Sequence, residues 1–302
     1  MDDITGLGKL AEGLSKPAVK LIEVVSDGIG ALYEPVAIRR RGEAEAQKLI
    51  AMETAKVRAE EMRKEIQFAG QLGRLQTLID KDPGLVDRAK ARLAMQEING
   101  QINVETIADA AMRHLPNQVS EEPVADDWKQ RFFKLAADVS DDEMRELWAK
   151  ILAGEVARPK AYNVRTLEAL HAMSQQEASM FTKFAGLCPL APFDGAVTLD
   201  DWNYGLTPYG VSFENVLALR EAGVVRPDLV AMRYEANQTS ALVFNEKFKW
   251  RITAPNRVQT KYVSLTATGR ELMTVVNRVP DEQYVGALIA KLQAQGYEMK
   301  AL

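Results

Sequence analysis

The sequence predicts a mainly α fold: an N-terminal amphipathic helical segment and a long charged helix, a central helical bundle, and a C-terminal winged-helix-like α+β module. Three observations predict it. Residues 42–70 (GEAEAQKLIAMETAKVRAEEMRKEIQFAG) are dominated by strong helix formers. Through the middle of the chain, apolar residues recur at i, i+3 and i+4 behind serine-led caps. Only the last hundred or so residues carry short strand-like runs between helical ones. The boundaries drawn from these patterns are 1–35, 36–115, 127–190 and 196–302.

The first segment places Leu7, Leu10 and Leu14 at helical spacing before Pro17, and Leu21, Ile22 and Val25 after it. Lys16, Lys20, Glu23 and Asp27 are interspersed. Two short amphipathic helices result, and their apolar residues form a face for a membrane surface or for assembly, or one packed on the protein's own core. Arg39, Arg40 and Arg41 come next, placed to meet phosphate of a lipid headgroup or of nucleic acid. In the long helix Met52, Ala59 and Ile66 repeat every seven residues, with Ala55 and Met62 between them. That is a seam of about three heptads, suited to self-association or to an ordinary solvated surface helix.

Two further helices are expected over 72–115, split by Asp82-Pro83-Gly84, and the polar stretch 116–126 reads as a linker. Trp128, Phe132, Phe133 and Leu135 make an aromatic helical face. Ser140 to Glu143 has the form of a capping box, followed by Met144, Leu147, Trp148, Ile151 and Leu152, with Gly154 as the stop. Asn163 is expected to cap the next helix, and Ser174 to Glu177 to open another. A helix at 212–222 ends at Gly223; TSALVF, KFKWRI and TKYVSL read as strands, and Thr266 or Thr268 starts a helix, GRELMTVVNR. Helix, turn, helix, hairpin, helix is a winged-helix order, and Lys247, Lys249 and Arg251 would be the wing contacts, all on one face.

Composition bounds function. The chain has 302 residues, 47% hydrophobic, and a formal charge of −4, enough for a sizeable core without a general drive toward nucleic acid. The single cysteine, Cys188, rules out an internal disulfide and fits a cytoplasmic protein, at most peripheral on the inner membrane. No run approaches the roughly 18 apolar residues of a spanning helix, and the acidic N-terminus lacks the form of a secretory signal. The two histidines, His114 and His171, have no ligand or nucleophile spacing, and no phosphate-cradling or nucleophile-elbow motif occurs. No catalytic, cofactor or metal residues are assigned.

The stretch DDWKQRFFKLAADVSDDEMRELWAKILAGEV and onward, from Asp126, resembles the signature of a bacterial family of unknown function, DW…FF…DVSD.EM.ELWA.ILAGEV, the pattern spanning Asp127 to Phe184. The likeness extends to YEPVAIRRRGEAEA (Tyr33 to Ala46) and SLTATGREL (Ser264 to Leu272). The ELWAKILAGEV piece is also distantly similar to the abortive-infection alpha proteins, which implies a role in phage resistance and brings no catalytic residue. The expectation is a non-enzymatic, self-associating effector or adaptor of phage defence. It would form a homo-oligomer, bind an unidentified protein partner and touch a membrane surface, without cofactors. The alternative is a winged-helix nucleic-acid-binding regulator. The acidic balance, and a single arginine (Arg220) between 212 and 222, weigh against it.

Overall fold

A computed structural model describes residues 14–35, 82, 84–200 and 203–302. The chain divides into two compact units, Met1–Lys160 and Ala161–Leu302.

The described part of the first unit is helical. Helix α1 (Lys16–Ile29) has Pro17 in its first turn, where a missing N–H costs nothing, so this proline starts a helix rather than breaking one. Gly30 closes it at φ 69°, a left-handed conformation that glycine adopts without strain. Helix α2 (Leu85–Met112) buries only its C-terminal half, through residues such as Val104, Ile107 and Ala111. Helix α3 (Asp126–Ala136) contributes the expected aromatic face: Trp128, Phe132, Phe133 and Leu135 are all buried. Phe132 sits 4.9 Å from the Trp128 ring and 5.1 Å from that of Trp148 on α4 (Asp142–Ala157). Two local expectations shift here. Asp141, not Ser140, caps α4 by accepting the Met144 N–H. Gly154 does not end the helix, which runs on to Ala157. Buried Glu155 and Val156 hold the last turn in place, outweighing the roughly 1 kcal/mol that a helical glycine costs.

The second unit is mixed. Helices α5 (Val164–Ala172) and α6 (Gln175–Gly186) precede a short strand β1 (Gly195–Val197) and a 3-10 turn, Thr207–Tyr209. Helix α7 (Phe213–Glu221) leads into strands β2 (Val225–Tyr234), β3 (Gln238–Val243), β4 (Lys249–Ala254) and β5 (Val258–Leu265). Helices α8 (Ala267–Met273) and α9 (Glu282–Ala294) and strand β6 (Glu298–Ala301) complete it.

The expected mainly α fold with a winged-helix-like end is overturned by the strands. Of the described residues about 51% are helical and 16% lie in strands, arranged as two three-stranded antiparallel sheets. Their orders are β1-β5-β2 and β3-β4-β6. The β3–β4 hairpin is not a free wing: β4 pairs onward with β6, Trp250 opposite Ala301 and Arg251 opposite Lys300. Strand β5 leaves the hairpin to pair with β1 and β2. The sequence hides these partners for physical reasons. Strand β2 carries Pro227, which sits where the β2–β5 register shifts between Val225 and Leu229, a place that tolerates a missing N–H. Strand β1 is three residues long, and β6 is polar and at an edge. Among the described residues no helix is long and apolar enough to cross a membrane.

Candidate interaction cleft of the first unit

Helix α1 is amphipathic in a specific way. Leu21, Ile22 and Val25 are at most 1% exposed, while Lys16, Lys20, Glu23 and Asp27 lie along another side at i+4, i+3 and i+4. That charged side faces a cleft of about 630 Å³ whose other wall is the irregular segment 117–124. Its apolar lining includes Leu14, Pro17, Val24 and Val124.

The far wall is held by lysine. Lys20 Nζ donates to the Ser120 carbonyl at 2.6 Å and to the Glu122 carbonyl at 2.8 Å. The Ser120 N–H donates to the Ala157 carbonyl, Ser120 Oγ accepts the Glu122 N–H, and Lys160 pairs with the Glu122 carboxylate. The main-chain groups of Ser120 and Glu122 are thereby paired without secondary structure. An ammonium carries three N–H donors. Two of Lys20's are spent on these carbonyls, and the third is available to an incoming acceptor. Partial burial lowers the Lys20 pKa, with Glu122, Glu23 and Glu155 opposing. Lys129 behaves differently. Burial acts to lower its pKa, but Asp126 and Asp27, each 2.9 Å away, outweigh burial and raise it. Lys129 is neutralised within the fold; Lys16, exposed on α1, and Lys20 are the lysines that line the cleft beside it.

Of the residues singled out from the sequence, Leu14 lines this cleft, and Leu21, Ile22 and Val25 belong to the core instead of an open apolar face. Leu7, Leu10, Arg39, Arg40, Arg41, Met52, Ala55, Ala59, Met62 and Ile66 lie outside the described residues. Lys247 and Lys249 are engaged by Glu282 and Glu246, and Arg251 is exposed on β4 beside Lys300 of β6. The role of Lys20 was missed, though the 16, 20, 23, 27 spacing was its signal.

Other reactive groups are committed to structure. His114 Nε2 lies 2.5 Å from Glu146 Oε1, with Arg113 beside the same carboxylate, a pairing across 32 residues that no local spacing reveals. Cys188 is fully buried, which pushes its thiol well up, and Sγ donates to the Phe184 carbonyl. Among the described residues no group of three or more His, Cys, Asp or Glu is placed to hold a metal ion.

The family model described as "Protein of unknown function (DUF2806)" matches residues 87–289, about two thirds of the chain. The chain belongs to the DUF2806 family. No curated protein and no solved structure matches it. The DUF2806 match begins in α2 and ends in α9, so it covers α3, α4 and all three strands of the β1-β5-β2 sheet, while α1 and β6 lie beyond it.

Proposed function

We propose that this DUF2806 protein is a non-enzymatic, self-associating adaptor or effector of bacterial phage defence, working in the cytoplasm by binding a protein partner. The observation that carries the reading is the cleft along α1, where a partly buried Lys20 ammonium shares the lining with apolar Leu14, Pro17, Val24 and Val124. Such a surface suits a peptide segment with a carboxylate next to apolar side chains, because the ion pair fixes orientation and the apolar lining supplies burial. The defence role rests on the likeness of ELWAKILAGEV to the abortive-infection alpha proteins. Burial of Leu21, Ile22 and Val25 makes protein, not lipid, the partner best matched to α1.

The test is phage plating on cells lacking the gene and complemented with wild-type or variant protein. Wild type should restore protection. Lys16→Glu with Val19→Glu, at the cleft, should lose it without a change in protein level or melting temperature. Equal plating on deleted and complemented cells across a phage panel would sink the defence reading. Retained protection by a stable cleft variant would sink the cleft.

The rival reading, a nucleic-acid binder, has one specific support: Arg251 and Lys300 lie side by side on adjacent strands. With Lys247 and Lys249 already paired to glutamates, that patch is weak. Binding to duplex DNA should be faint and vanish at physiological salt, since each phosphate contact contributes a log–log slope of about −0.9. Submicromolar binding abolished by Arg251→Glu would promote the rival.

A further inference from the structure

Helix α2 is 28 residues long, about 42 Å at 1.5 Å per residue, yet no residue between 85 and 99 is buried. Along the side away from the core, Arg88, Ala91, Met95, Ile98, Ile102, Glu105 and Asp109 follow one another at steps of three and four. Met95 is 57% exposed and Ile102 53%. The row has an apolar middle, a basic N-terminal end and an acidic C-terminal end. A helix with its own unit beneath has no need of such order on its outer side.

We propose that this row is a self-association surface, and that its occupant is α2 of a second copy of the chain running antiparallel about a two-fold axis between residues 96 and 97. Charge complementarity selects the direction. Antiparallel packing sets Met95 against Ile98 of the second copy, Ala91 against Ile102, and Arg88 against Glu105, each twice by symmetry. A parallel pair would stack Arg88 on Arg88 and Glu105 on Glu105, like charge on like. The present partners do not forbid the arrangement. Arg88 is held by Asp82 in an exposed pair of little worth, and Glu105 accepts from Gln101 at 2.8 Å. Asp109, which accepts from the Tyr33 hydroxyl at 2.6 Å, adds negative charge near the same end. The antiparallel helix dipoles also oppose favourably. This inference rests on the reading of the protein as self-associating and names the surface responsible.

The experiment is sedimentation equilibrium of the full chain across a concentration series, with circular dichroism to verify folding. Wild type should be dimeric. Met95→Glu and Ile102→Glu, at exposed positions, should give folded monomers. Arg88→Glu alone should raise the dissociation constant about tenfold, and adding Glu105→Arg in the same chain should restore it. A wild-type dimer that survives both Met95→Glu and Ile102→Glu overturns the inference while leaving self-association through another surface intact. A dimer broken by Met95→Glu but not rescued by the double charge reversal overturns the antiparallel register. A monomeric wild type overturns the inference and the self-association it rests on together.

Discussion

Trp148 shows how one side chain both holds and strains the first unit. It is fully buried against Phe132, yet its indole N–H has no hydrogen-bond partner. The ring stabilises by filling volume, and the orphaned donor costs about 1–3 kcal/mol. Trp148→Ala should therefore lose about 3–5 kcal/mol in urea unfolding. Trp148→Phe should lose clearly less, because it removes the orphan while keeping a ring in place; equal losses would show that the N–H is solvated after all. Arg278 is the counterpart in the second unit. Its guanidinium donates to the carbonyls of Cys188 at 2.6 Å, of Ala185 and of Phe244, tying the end of α6 to the end of β3, and burial lowers its pKa. Trp148 as a core residue was legible from the period of its helix. Arg278 was not, since its partners lie 34 to 93 residues away and are main-chain atoms with no sequence signature.

At the scale of elements, the caps separate what a local pattern encodes from what the tertiary fold supplies. Ser174 and Glu177 form the expected capping box, each side chain bonded to the other's N–H. Those bonds from the Ser174 amide and hydroxyl hold the Glu177 carboxyl below its ordinary value near 4.5, with burial slightly opposing. The sign follows: a carboxyl depressed in the folded state stabilises fully above about 4.5 and loses that contribution as pH falls through its folded value. Glu177→Gln should narrow the gap between melting temperatures at pH 7 and pH 3; an unchanged gap would remove Glu177 from the acid response. Helix α5 looks the same in sequence, yet Asn163 makes no side-chain cap there. Glu271 on α8 accepts instead from the Asn163 N–H at 2.8 Å, from its side-chain amide, and from the Thr166 hydroxyl at 2.5 Å. Glu271→Ala strands these donors and should cost about 2–3 kcal/mol, whereas Asn163→Ala should cost less. Most described helices were thus readable, because amphipathic period and caps are local, but α9 (Glu282–Ala294) was missed. The sheets were not readable, because β1, β2 and β6 gain their strand character from partners distant in the chain.

For the molecule as a whole, the decisive feature is that Ala161–Leu302 closes on itself. Both sheets draw all their strands from it, the cap of α5 comes from α8, and Arg278 links α6 to the end of β3. Its core mixes helical and strand residues, Leu167, Phe181, Phe184, Val263, Leu288 and Ile252, each at most 1% exposed. A unit of this length can bury about two thirds of its unfolded surface, which is enough for independent stability. The fragment 161–302 should therefore unfold in one cooperative transition, with a calorimetric enthalpy of about 100 kcal/mol near 60 °C that equals the van't Hoff value. Trimming it after residue 297 removes β6 and bares the β4 edge that carries Trp250 and Ile252, so the same transition should move to lower temperature. A fragment with near-native helix content but no cooperative melt would show instead that the two sheets need residues before 161 to pack.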